Sequence, residues 1–310
     1  NFIPISSVGC YVPGGLAKYP STAIMSIIPA KIAGVRRIVV VSPPNKNGKV
    51  DPLTLVAADI CGADEIYKTG GAQAIAALCF GTKSISKVDK IVGPGGLFVT
   101  MAKSIVSERT SIDMVAGPTE LAIIADASVE PDLVAKDLIS QAEHSTDTSC
   151  YVITTSQSFA KKVRNSIEQN IRRIQRKEIV KQSLDTNGFV VVCKNNNDVI
   201  KLVNNLAPEH LEIITKNPHG FASKIKTAGL VLIGTNTPSS ASDYLLGSNH
   251  ILPTNGFGKT RGSLSVLDFM KLNTQIESSK TSLQHISRYM RVLTSAENLP
   301  NHYEAVRSRL

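Results

Sequence analysis

No apolar run in this sequence reaches the length a helix needs to cross a bilayer, and no signal peptide opens it. No membrane role is therefore expected. Cysteine is sparse: Cys10, Cys61, Cys79, Cys150 and Cys193 are odd in number, scattered and free of C-x-x-C spacing. That pattern argues against a disulfide framework or a thiolate zinc site and fits buried thiols in a reducing, cytoplasmic setting. No cysteine sits in a glycine-rich turn beside a histidine, so a thiol nucleophile is not expected. The standard dinucleotide fingerprint, G-x-G-x-x-G with a trailing acid, is absent, and so is an H-E-x-x-H helix. Aromatics make up only 5% of residues, few for base stacking.

What is present is the composition of a soluble globular protein. Of 310 residues, 42% are apolar and 19% charged, enough for a large core and, by length, two domains. The first residue is Asn1 rather than methionine, as expected of a processed or incomplete chain. A net charge of +9 invites a nucleic-acid reading, but the densest basic segment, Lys161, Lys162, Arg164, Arg172, Arg173, Arg176 and Lys177, also carries Glu168 and Glu178. Such a run reads as a solvated helix face, and no nucleic-acid partner is expected. A modest positive field favours a phosphate-bearing cofactor instead.

Periodicity alternates strand and helix almost throughout. It predicts helices near 21–33, 51–61, 72–80 and 97–107 between strands at 37–41, 65–68 and 88–92. A second cycle follows. Its strands fall at 112–114, 121–125, 151–155, 189–192, 211–215 and 230–233, with helices ending at 144 and over 157–174, 198–205 and 219–228. After Leu264 the pattern turns helical, most clearly over 282–296. The expected fold is α/β: two Rossmann-like doubly wound domains, 1–116 and 117–264, and a small helical extension, 265–310.

Three loops offer backbone amides to a ligand. Tyr11-Val-Pro-Gly-Gly15 and Gly93-Pro-Gly-Gly96 allow close approach, and Gly70-Gly71-Ala72-Gln73 opens a helix, where amides and dipole favour an anion. The polar candidates lie further along. Gln141-Ala-Glu-His144 closes a helical run, and the i, i+3 spacing lets the Gln141 amide and His144 imidazole reach one point, half of a zinc shell. Glu209-His210 follows Pro208 at a helix-to-strand junction, and Asp243, His250 and His302 come later. Taken singly, each also has an ordinary structural use. Together they describe an enzyme.

The motifs Tyr-Val-Pro-Gly-Gly, Gly-Gly-Ala-Gln-Ala-Ile, Val88-Asp-Lys-Ile-Val-Gly-Pro-Gly95, Ile-Asp-Met-Val-Ala-Gly-Pro, Gln-Ala-Glu-His, Ala-Pro-Glu-His-Leu and Asn-His-Ile-Leu-Pro-Thr occur in one order. This order closely resembles the histidinol dehydrogenase family over nearly all of 8–302. The resemblance implies oxidation of L-histidinol to L-histidine through an aldehyde, with one Zn²⁺ per subunit and NAD. It implies Gln141, His144, Asp243 and His302 as zinc ligands and Glu209 and His210 as the acid–base pair. It further implies that Thr119, His210, Glu297 and the ligand cluster grip the substrate, while Tyr11 and Gln73 hold NAD. A homodimer is implied, with the C-terminal Glu297 and His302 reaching the partner's site. A mixed nitrogen and oxygen shell suits a zinc that orients the substrate, His210 can take the alcohol proton, and Glu209 can activate water on the aldehyde.

Some residues depart from the family pattern. Gly96 stands where the family has Asn, Thr119 where Ser is common, and Asn298 and Pro300 alter the C-terminal motif. Little of the family's segment ahead of the Tyr11 loop is present. The alternative reading is a shortened relative that binds zinc and ligand but has lost dehydrogenase turnover.

Overall fold

The computed structural model describes residues 1–14 and 18–310. Gly15, the last glycine of the Tyr11 loop, lies outside the described residues. The chain divides into two compact units, Pro4–Met270 and Asn1–Ile3 with Lys271–Leu310.

The larger unit holds two five-stranded, all-parallel sheets. The first contains β1 (Ser7–Tyr11), β2 (Arg37–Val41), β3 (Glu65–Tyr67), β4 (Lys90–Val92) and β5 (Ser111–Ile112) in the order β3-β2-β1-β4-β5. The second contains β6 (Glu120–Ala125), β7 (Ser149–Thr154), β8 (Gly188–Val192), β9 (His210–Ile214) and β10 (Leu230–Ile233) in the order β8-β7-β6-β9-β10. Both are doubly wound with the same strand order, as expected from the repeated pattern.

Parallel sheets covered on both faces need apolar residues on both. In β2, Ile38 and Val40 pack with Ile27 and Ala30 of helix Pro20–Ala33, while Val39 and Val41 pack with Ile75 and Leu78 of helix Gly71–Phe80. The second sheet repeats this. Leu121 and Ile123 meet Val134 and Leu138 of helix Pro131–Ala142, and Ala122 and Ile124 join Val199 and Val203 of helix Asn196–Leu206.

The structure corrects several sequence expectations. Central strand β1 was not among them: Ser-Val-Gly-Cys-Tyr lacks a β-branched run, yet all five residues are buried between β2 and β4. The expected helix 157–174 is two, Gln157–Ile171 and Lys177–Asn187, parted where Arg176 takes φ +56°. The expected helix 219–228 stops at Ala222, because the Asn204 side chain bonds the backbone of Lys224 and Lys226 and holds that stretch as a loop. Residues beyond 264 begin with a 3₁₀ turn, Val266–Phe269, and a strand, Met270–Leu272, before any helix.

In the smaller unit, helix Lys280–Ala296 is capped by the Ser279 hydroxyl, and helix Pro300–Arg307 follows it. Among the described residues no helix is long and apolar enough to cross a membrane.

Candidate active site

A cavity of about 330 Å³ lies within the larger unit. Its walls combine Gly93–Gly96 after β4, Thr119 before β6, Gln141 and His144 at the end of helix Pro131–Ala142, Glu209 and His210 at the start of β9, and Asp243 after helix Ser239–Ser242. No cysteine lines it.

Glu209 and His210 form its polar floor. Glu209 Oε2 accepts the Thr119 hydroxyl at 2.5 Å and the Glu120 amide at 2.8 Å. His210 Nδ1 lies 3.7 Å from Glu209 Oε2, and Nε2 lies 3.5 Å from Asp243 Oδ1. Both separations exceed a hydrogen bond, so each ring nitrogen is buried without a partner. Burial opposes the imidazolium charge, but the Glu209 and Asp243 carboxylates outweigh it and push His210 up to about 10. Glu120, whose Oε2 accepts the Glu209 amide, is itself raised by burial.

The helix carrying Gln141 ends at Ala142, so His144 lies beyond the helical face on which the i, i+3 spacing was expected to place it. It sits just past Glu143, and its amide bonds back to the Gln141 carbonyl at 3.2 Å. Both side chains still line the cavity. The Thr119 hydroxyl donates its one proton to Glu209, so it can only accept from Gln141, at 2.9 Å. That fixes the amide: Nε2 faces Thr119 and Oε1 is left with one long contact, Ser239 Oγ at 3.4 Å. Asp243 is placed through its backbone. His250 Nδ1 bonds the Asp243 carbonyl at 3.0 Å and Nε2 meets Thr22 Oγ1 at 3.1 Å, while burial keeps this histidine below its usual value. Among the described residues, no set of three or more His, Cys, Asp or Glu alone could hold a metal. The candidate donor set here mixes amide, imidazole and carboxylate.

The first sheet contributes backbone. Gly93 adopts φ +110°, and a Cβ there would stand 2.1 Å from the Tyr11 carbonyl oxygen, so only glycine fits. The loop is pinned from below. Lys103, buried against Asp113, donates to the Gly93 carbonyl at 2.9 Å, and Asp113 accepts the Gly93 amide at 2.7 Å. Tyr11 and Gln73 meet at Gly71: the Tyr11 hydroxyl accepts the Gly71 amide at 3.1 Å, and the Gln73 amide folds back over the same glycine. Neither is among the residues lining the cavity. Gly96 differs from Gly93, since a Cβ there would meet nothing within 4 Å.

Glu297 and His302 belong to the smaller unit, where both are exposed. Sequence reasoning missed Lys103, Asp113, Glu120 and Glu212. A lysine in helix Leu97–Val106 and an acid within strand β9 were the available signals. The expected basic segment is a solvated face, with Arg164 paired to Glu168 four residues on.

The histidinol dehydrogenase family matches residues 1–310. The chain is 49% identical over 306 residues to histidinol dehydrogenase of Caldanaerobacter subterraneus subsp. tengcongensis, covering 99% of this chain and 71% of that protein. It is 47% identical over 306 residues to that of Oceanobacillus iheyensis, covering 99% and 72%. The crystal structure of histidinol dehydrogenase from Elizabethkingia anophelis superposes with a TM-score of 0.96 at 38% identity, over 100% of this chain and 71% of that one.

Proposed function

The chain belongs to the histidinol dehydrogenase family, and from that premise we propose that it oxidises L-histidinol to L-histidine through the aldehyde, using zinc and NAD, as a cytoplasmic homodimer. It is an oxidoreductase of histidine biosynthesis. In this reading residues 1–116 serve NAD, 117–264 serve zinc and substrate, and 265–310 form a dimerisation tail. The observation that carries it is His210, buried and unpartnered between two carboxylates in the cavity that Gln141 and His144 also line.

The donor chemistry fits zinc. Gln141 Oε1 is turned away from Thr119, His144 makes no side-chain hydrogen bond among the described residues, and the Asp243 carboxylate has only the long approach to His210. Nitrogen and oxygen donors without thiolate suit a catalytic rather than a structural ion. When bound, zinc anchors and polarises the substrate, and NAD takes up its hydrides. The fourth ligand is assigned to the partner's His302, with the partner's Glu297 gripping the substrate. Tyr11 and Gln73, meeting at Gly71, are assigned to NAD.

The chain's own groups handle protons. His210 receives the hydroxyl proton; engaging Asp243 elsewhere removes one of the two charges that hold it protonated, returning it toward the neutral form a base requires. Glu209 is held rigidly by Thr119 and the Glu120 amide, leaving Oε1 without a donor among the described residues, free to take a proton from the water that adds to the aldehyde. Thr119 keeps the hydroxyl of the serine it replaces, relaying Gln141 to Glu209.

The test is direct: full-length protein, zinc, NAD and L-histidinol, followed by NADH absorbance. Histidinol-dependent NADH that a chelator abolishes and zinc restores supports the reading. Zinc and histidinol binding without NADH would overturn it in favour of a ligand-binding relative.

A further inference from the structure

Glu212 lies two residues beyond His210 in β9 and is 1% exposed. A carboxyl so deeply buried needs partners on both oxygens. One oxygen, Oε1, accepts the Ser239 amide at 2.6 Å, at the start of the short helix that delivers Asp243. The other, Oε2, has no donor in reach. The carboxyl of Asp137, one helical turn before Gln141, lies close enough to act on Glu212 through its charge and a side-chain hydrogen bond. Two carboxyls in contact away from water cannot both ionise and share a proton instead. Burial, then the Asp137 charge, raises Glu212 to about 8, and burial raises Asp137 to about 6. Ser239 closes the connection from the other side, its hydroxyl reaching Gln141 Oε1 at 3.4 Å. Glu212 therefore ties three segments together: the strand with His210, the helix with Gln141, and the turn with Asp243.

We propose that Glu212 is a positioning residue that sets the spacing between Gln141 and Asp243 and so tunes how tightly this chain holds zinc. The inference rests on the zinc reading above. Reach, not charge, does the work: Glu212 serves as a neutral group long enough to accept from Ser239 and donate to Asp137 at once. Gln keeps that length and both bonds. Asp keeps the acid and loses the reach.

The experiment titrates Zn²⁺ alone into metal-stripped full-length protein, with Co²⁺ alone as a visible-absorption probe of ligand geometry and the metal-free melting temperature as a control. Glu212→Asp is expected to weaken Zn²⁺ roughly 10–100-fold and shift the Co²⁺ bands, as losing a partner that orients a ligand does, while metal-free melting falls by only the few degrees that an unpaired buried group costs and the protein stays folded at the titration temperature. Glu212→Gln is expected to stay within about threefold of the unaltered chain. Ser239→Ala, which removes only the hydroxyl arm and leaves the backbone bond, should give a smaller loss in the same direction. The proposal is overturned if Glu212→Asp binds Zn²⁺ as tightly as the unaltered chain, or if Gln loses as much as Asp. An unaltered chain that binds no Zn²⁺ sinks the zinc reading itself, which the same titration shows before any variant is made.

Discussion

The two sheets of the larger unit share one strand order yet present opposite edges to the cavity. The first uses its carboxyl edge: the Gly93 loop follows β4, and Pro13 follows β1, on either side of the point where strand order reverses. This is where open parallel sheets ordinarily bind ligands. The second uses its amino edge, with Thr119 just before β6 and Glu209-His210 opening β9. Its own carboxyl-edge reversal is closed instead, with Asp126 accepting the Ser128 and Lys216 amides. One half thus supplies backbone held by a buried ion pair, and the other supplies titratable side chains held by hydrogen bonds. Under the proposed function, identical topology is put to two uses, a platform for NAD and a bench for proton transfer.

That division predicts that chemistry and platform fail separately. The largest effect belongs to the second half. His210→Asn should lower kcat by about 10²–10⁴-fold with KM for NAD nearly unchanged, since it removes the group proposed to move the proton. Steady-state kinetics with varied NAD would check this, and a large rise in that KM would break the comparison. Next comes the platform. Lys103 and Asp113 are 3% and 0% exposed at their side chains, and Lys103→Met leaves a buried carboxylate uncompensated. A loss of about 3–5 kcal/mol is expected, read by denaturant unfolding, with Zn²⁺ affinity of the remaining folded protein unchanged.

A smaller effect is expected with pH. Folded, Glu212 keeps its proton to about pH 8, against 4.5 for the free side chain. A raised carboxyl contributes its full stability below the unfolded value and loses it as pH rises through the folded one. The metal-free melting temperature should therefore decline between about pH 5 and pH 8.5 and decline less in Glu212→Gln, whose amide does not titrate. Equal slopes would show that Glu212 does not hold the proton.

The paired halves were legible in the sequence because alternating β-branched runs and amphipathic segments encode them locally, as at Arg37–Val41. Strand β1 was not, since Ser7–Tyr11 is a strand only by virtue of neighbours on both sides. The polar residues were legible as a set through the ordered motifs, and the cavity does collect Thr119, Gln141, His144, Glu209, His210 and Asp243. What holds them was hidden. Glu212 and Asp137 are 75 positions apart, and Lys103 and Asp113 face each other only once β4, β5 and the helix between them are folded. Local pattern names the groups that the cavity collects. Only tertiary contact reveals those that keep them in place.

The smallest change sharpens the comparison most. Gly93 and Gly96 belong to one loop, but Gly93 is dictated by its backbone and Gly96 is not: its φ is −66°, and a Cβ would meet no atom within 4 Å. Gly96 caps helix Leu97–Val106 without a side-chain bond. Asn at that position adds a side-chain acceptor for the helix amides, worth a few tenths of a kcal/mol over glycine. It also puts an amide where the loop meets the cavity. Gly96→Asn should therefore leave kcat and the fold intact and lower KM for NAD severalfold, whereas Gly93→Asn should cripple the loop. A Gly96→Asn protein with unchanged KM for NAD would mean that the loop serves NAD through its backbone alone, and the platform reading would then apply without any side chain.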